Sequence, residues 1–133
     1  MIFLKDNVKY FILNNLNTGN DGYAYWKEEL LPLNEGDSIT KLSEIMDSKG
    51  HQIRHSPAGF HSEFHCTKEP QYVFILQGQM KITLRNDTYK IFEPGQHFYS
   101  NDVCPIGQEI SDIYGHKSEN VSDVPLITLF IKK

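Results

Sequence analysis

Apolar positions along this chain alternate over short stretches, and few windows carry a helical period. The clearest stretch is "MKITLR", residues 80 to 85. Met80, Ile82 and Leu84 fall on one face, and Lys81, Thr83 and Arg85 on the other. That is the period of two expected of a half-buried strand. "QYVFILQG", residues 71 to 78, is a continuous β-rich run and predicts a strand buried on both faces. "HQIRHS", "FHSEFHC", "TYKIF", "QHFYS", "YGHKSEN" and "PLITLFIKK" predict further strands. Turns at "PAG", "TKEP", "QGQ", "ND", "EPG" and "VSDV" separate them. Residues 101 to 112 predict a longer irregular loop.

The first third is less regular. "NNLNTGNDG", residues 14 to 22, reads as a turn-rich loop. Residues 23 to 33 read as a strand at "YAYW" or as a short helix at "KEELL" that Pro32 stops. Residues 38 to 47 space Ile39, Leu42, Ile45 and Met46 almost helically, yet the piece is short and its neighbours are strand-like, so a strand is expected. About eight to ten short strands with little helix predict an all-β sandwich or barrel. A barrel of this size encloses room for one small ligand.

Composition narrows the picture. A chain of 133 residues suits one domain around one core. Net charge is −4 and no basic stripe occurs, so nucleic acid is not an expected partner. No window reaches the roughly 20 apolar residues of a membrane helix. "MIFLKDNVKY" carries charge too early for a leader peptide, so no membrane association and a cytoplasmic location are expected. Cys66 and Cys104 stand 38 positions apart without a CxxC, which predicts reduced thiols and no thiolate zinc site.

Candidate chemistry concentrates before and after the "YVFIL" run. If "FHSEFHCT" is a strand, His61, Glu63, His65 and Thr67 share a face. Imidazole nitrogen and the Gln71 carbonyl oxygen are metal donors, and Glu63 could carry a proton. Gln71 could equally bond backbone at a strand start, and His116, beside Gly115, could cap a turn. His97 precedes Phe98 within a strand and reads as structural.

Spacing then supplies a resemblance. Gly59 precedes His65, Gln71 follows His65 by six positions, and Gly78 closes "YVFILQ". "EPG" at 93 to 95 precedes His116, and Asn120 lies four residues beyond that histidine. These residues resemble the two motifs of the cupin superfamily, small β-barrels built on a jelly-roll plan. The resemblance covers roughly residues 38 to 132, leaving residues 1 to 37 as N-terminal strands and loop of a single 1–133 domain. Thr67 stands where the family has a second histidine, and Gln71 where it has glutamate. The resemblance implies a divalent metal ion (iron, zinc, nickel or manganese) on His65, Gln71 and His116, with His61 as a further ligand and Glu63 as acid or base. It implies a small-molecule ligand such as a sugar acid or keto acid, and an isomerisation, ring opening or oxygenation. The alternative is a non-catalytic small-molecule-binding module, which the weakened donor set favours. It also implies a homodimer, with residues 1 to 13 pairing against a sheet edge.

Overall fold

The computed structural model describes residues 1–105 and 112–133, and the described residues form strands with no helix. In chain order the strands are β1 (Ile2–Lys5), β2 (Val8–Thr18), β3 (Ala24–Pro32), β4 (Glu35–Gly36), β5 (Lys41–Leu42), β6 (Gly50–Ser56), β7 (Gln71–Gln77), β8 (Met80–Thr83), β9 (Tyr89–Phe92), β10 (His97–Asn101), β11 (Lys117–Asn120) and β12 (Leu126–Lys132). The larger sheet contains the run β10-β7-β12-β6 and is extended by β2, with β1 and β3 hydrogen-bonded to β2. The smaller sheet is β11-β8-β9. Residues 60 to 65 run beside β11, bridging at His61–Glu119 and His65–His116. The chain therefore crosses between sheets after β6, β7, β9, β10 and β11. That is the jelly-roll plan on which cupins are built.

Alternation explains which side chains meet between the sheets. Val73 and Ile75 from β7, Phe98 from β10, and Leu126 and Phe130 from β12 face Met80, Ile82 and Phe92 of the smaller sheet. Leu16 and Ala24, from the N-terminal strands, belong to the same core. Burying each large side chain contributes about 1.5–3 kcal/mol, so this layer supplies much of the drive to close the barrel.

Several sequence expectations are corrected. Residues 14 to 18 continue β2, and only 19 to 22 turn; polar Asn15 and Asn17 pair with Lys27 and Tyr25 of β3, a partner the local sequence does not show. Of the two readings open for residues 23 to 33, the strand is the one that forms, over Ala24–Pro32. Within 38 to 47 only Lys41–Leu42 pairs, because no long partner strand lies alongside. "FHSEFHC" is not a regular strand, so the shared face expected for its alternate residues does not form. β7 is buried on one face only. Val73 and Ile75 are inside, whereas Leu76 is 51% exposed, since a second layer covers a single side of the sheet.

His97 is structural, as expected, and its setting is unusual. The ring is buried on the outer face of the larger sheet, stacked between Phe11 and Phe74 at 5.0 and 5.4 Å between centroids. Its Nε2 has no hydrogen-bond partner. Burial holds its pKa below the ordinary imidazole value, and the N-terminal ammonium pushes the same way. The unfolded chain thus binds the His97 proton more readily than the folded one. The stability is fully present above the unfolded value, about 6.5, and is lost as pH falls through the depressed folded value. Thermal melts between about pH 7.5 and 5 should therefore show a falling midpoint, and His97→Phe should reduce that fall. An identical pH slope in the variant would show that His97 does not cause it.

Candidate functional site

One end of the barrel opens into a cleft of about 610 Å3. His65, Thr67, Gln71, Ser100, His116 and Ser118 line it, together with Arg54 and Lys132. The cleft forms because β7, β10 and β12 end their apolar inward rows on polar residues. Gln71 continues the row of Val73 and Ile75, Ser100 that of Phe98, and Lys132 that of Phe130.

His65 and His116 are brought face to face by backbone pairing. Each N–H donates to the other's carbonyl, at 2.9 and 3.0 Å, and the rings lie 4.8 Å apart between centroids. Gly115 makes the approach possible. It sits at φ +91°, and a Cβ there would lie 2.8 Å from the His65 carbonyl oxygen. Glycine alone meets both demands without strain.

His116 is buried, and its Nδ1–H donates to Asp102 Oδ2 at 2.8 Å. Asp102 is fully buried. Its Oδ1 accepts from Thr18 Oγ1 at 2.6 Å, and its carbonyl accepts the Thr67 N–H at 2.7 Å. Thr18 Oγ1 in turn accepts the Cys104 N–H at 3.1 Å. The carboxylate therefore fixes the His116 tautomer and leaves Nε2 as the nitrogen available to the cleft. His65 Nδ1–H donates to the Glu63 carbonyl at 2.9 Å, which likewise leaves its Nε2 available. The cleft walls desolvate the His65 ring and hold its pKa below the ordinary value. The Glu63 carbonyl acts in the opposite direction, while His116 and Arg54 push it further down.

The structure brings three of the expected site residues, His65, Gln71 and His116, to one cleft. It does not bring His61 or Glu63 there. Both are exposed on the segment beside β11, and Glu63 contributes only its carbonyl. Gln71 has a partner already, since Lys132 Nζ donates to its Oε1 at 2.5 Å. Asn120, the last motif residue, is a clasp remote from this chemistry: its Nδ2 donates to the carbonyls of Pro57 and Val124 at 3.1 and 2.9 Å.

The donor set can be tested for a divalent ion. Two imidazoles with Nδ1 satisfied by oxygen acceptors are arranged as metal-binding histidines commonly are. The third donor does not fit. The Gln71 oxygen carries an ammonium, and a cation there would face like charge. Among the described residues, no three His, Cys, Asp or Glu side chains gather to hold an ion. The His65, Gln71 and His116 set, as it stands, therefore does not suit a divalent metal.

Cys66 and Cys104 form a disulfide, contrary to the reduced thiols expected from their spacing. The jelly roll places their Cα atoms 5.8 Å apart, a proximity that 38 intervening positions conceal. The bond joins the residue after His65 to the loop carrying Asp102. Disulfides persist in oxidising surroundings, so the cytoplasmic expectation loses one of its supports. No helix among the described residues is long and apolar enough to cross a membrane.

Asp102, Thr18, Arg54 and Lys132 were not singled out from sequence. For Lys132 a signal existed: it shares strand parity with Leu126, Thr128 and Phe130, so a lysine stands on the core face.

No family model and no curated protein matches the chain. Solved structures similar to it include several cupin domains. The cupin domain of an XRE-family transcriptional regulator from Enterobacter cloacae is 14% identical, with a TM-score of 0.43 over 62% of this chain and 77% of the other. The Schizosaccharomyces pombe Cnp3 cupin domain is 15% identical, with a TM-score of 0.45 over 91% and 85%. The DMSP lyase DddQ from Ruegeria pomeroyi is 20% identical, with a TM-score of 0.46 over 74% of this chain and 43% of the lyase. Likeness of this degree carries no activity across to this chain.

Replacing both cysteines by serine should destabilise the fold by about 2–4 kcal/mol, given the long loop the crosslink closes. Urea denaturation of the oxidised protein and the double variant measures this. Coincident curves would mean that the crosslink does not constrain the loop.

Proposed function

We propose that this cupin-type barrel binds a small molecule in the cleft around His65 and His116, with His116 Nε2 as the atom that hydrogen-bonds the ligand and can exchange a proton with it. The observation that carries the reading is the buried Asp102–His116 pair. Burying a carboxylate and an imidazole costs several kcal/mol in desolvation, and an apolar pair of similar volume would often serve stability as well. Keeping that pair at the wall of a cleft suits a ligand-binding role. The cleft volume falls in the range of small-molecule sites. The polar lining suits an oxygen-rich ligand, in keeping with the sugar acid or keto acid that the motif resemblance implies.

A metal on His65 and His116 is the second reading, favoured by their two satisfied Nδ1 atoms and opposed by the ammonium on Gln71. Metal analysis of untagged protein separates the two. The expected outcome is far less than one equivalent per chain. A full equivalent that disappears in both His65→Ala and His116→Ala would move the assignment to the metal.

Binding itself is tested by following the imidazole resonances of His65 and His116 while a library of small organic acids, keto acids and sugars is added. A library member should shift both rings, and His116→Ala should abolish its binding while the circular dichroism spectrum stays the same. A library that moves neither ring removes the reading.

The homodimer is part of the proposal. β1 hydrogen-bonds to β2 of its own chain, and Ile2, Phe3 and Leu4 on it are all exposed. An apolar edge strand of this kind invites a second copy. Light scattering should give twice the chain mass, and Phe3→Lys should shift it towards the monomer.

A further inference from the structure

Among the described residues, two cations in the cleft lack a counter-ion. Arg54 enters from β6 and Lys132 from the end of β12, and both side chains are half-buried. The Arg54 guanidinium carbon lies 4.9 Å from the Phe60 ring centroid and 5.9 Å from that of Phe130. Lys132 Nζ lies 5.5 Å from the same Phe130 ring. Two positive charges thus border one aromatic ring. No carboxylate among the described residues comes within salt-bridge distance of either. The carboxylate buried nearby, Asp102, spends its oxygens on Thr18 and His116. Lys68 adds a third positive charge at the exposed rim and Glu69 a single negative one. The rings hold Arg54 in place by cation–π contact, and no acid among the described residues occupies its N–H fork.

An oxyanion would supply the counter-charge to these cations that a neutral hydrogen-bonding ligand lacks. Arg54 offers a planar fork matched to carboxylate or phosphate, and Lys132 a point charge beside it. Ser62, Ser100 and Ser118 add hydroxyls along the same wall. Arg54 also acts on His65, whose pKa it helps to lower, so its field reaches the imidazole pair.

We infer that the cleft selects a small molecule carrying an oxyanion, a carboxylate or a phosphate, clamped by Arg54 and Lys132 with its remainder against His65 and His116. The inference rests on the cleft being the binding site and adds the charge of what enters it.

The test uses the full chain and three probes: succinate, inorganic phosphate and the neutral isostere succinamide. Binding is followed by the Arg54 Nε–Hε and histidine ring resonances. Succinate or phosphate should saturate these shifts, with affinity falling as potassium chloride is raised. Succinamide should leave them unmoved. Saturation by succinate alone assigns a carboxylate, and by phosphate alone a phosphate. Arg54→Gln and Lys132→Gln should each weaken the binding about tenfold or more. The comparison of succinate with succinamide needs no variant, so misfolding of either variant does not rescue the claim. Succinamide binding as tightly as succinate overturns the charge assignment and leaves the cleft reading intact. So does a chain that ignores all three probes yet still binds a neutral sugar of the library through His116. A chain whose imidazoles respond to neither probes nor library loses both readings.

Discussion

Asp102 holds together more of this molecule than any other side chain near the cleft. Its carboxylate is wholly inside, where an unpaired charge would cost several kcal/mol. Two segments remote in sequence satisfy it, Thr18 at the end of β2 and His116 just before β11, and the Asp102 carbonyl separately accepts the Thr67 N–H. The Cys66–Cys104 bond lies across the same junction. Together these contacts fix the irregular segment before β7 against the loop after β10. The backbone bridge between His65 and His116 then sets the two rings opposite each other. The geometry of the cleft follows from satisfying one buried charge.

The electrostatics of the cleft separate two kinds of ligand. A divalent ion would add positive charge to a wall that already holds Arg54 and Lys132, and would compete with an ammonium for the Gln71 oxygen. An anion would meet two cations that no acid among the described residues neutralises. Charge is therefore a stronger guide to the ligand here than the histidine spacing alone. The replacement of a motif glutamate by Gln71 fits the same picture, because a neutral oxygen accepts from Lys132 without cancelling its charge.

His97 shows the opposite use of an imidazole. It lies outside the barrel core, stacked between two phenylalanines, and its desolvated ring favours the neutral form. His116 is equally buried but has a carboxylate at Nδ1 and a cleft beside it. Burial alone does not mark a functional histidine; the partner on the far nitrogen and the space in front of the ring do.

Local pattern by itself determined the strands with strong alternation. Met80, Ile82 and Leu84 face inward, and the strands containing Tyr72 to Gln77, Tyr89 to Phe92 and Leu126 to Lys132 lie where their β-rich runs predict. The motif spacing also put His65, Gln71 and His116 near one another in expectation, and all three line the cleft. Period and spacing are properties of neighbouring residues, so they survive in the sequence. The remaining features depend on contacts between distant segments. The polar stretch 14 to 18 is a strand because β3 and β10 flank it, while "FHSEFHC" bends because Gly115 and His116 hold only points along it. Asp102 has no motif, and Cys104 meets Cys66 only after the sheets close. Which charges stand unpaired in the cleft was decided last, because pairing is a matter of distance in three dimensions that no linear spacing records.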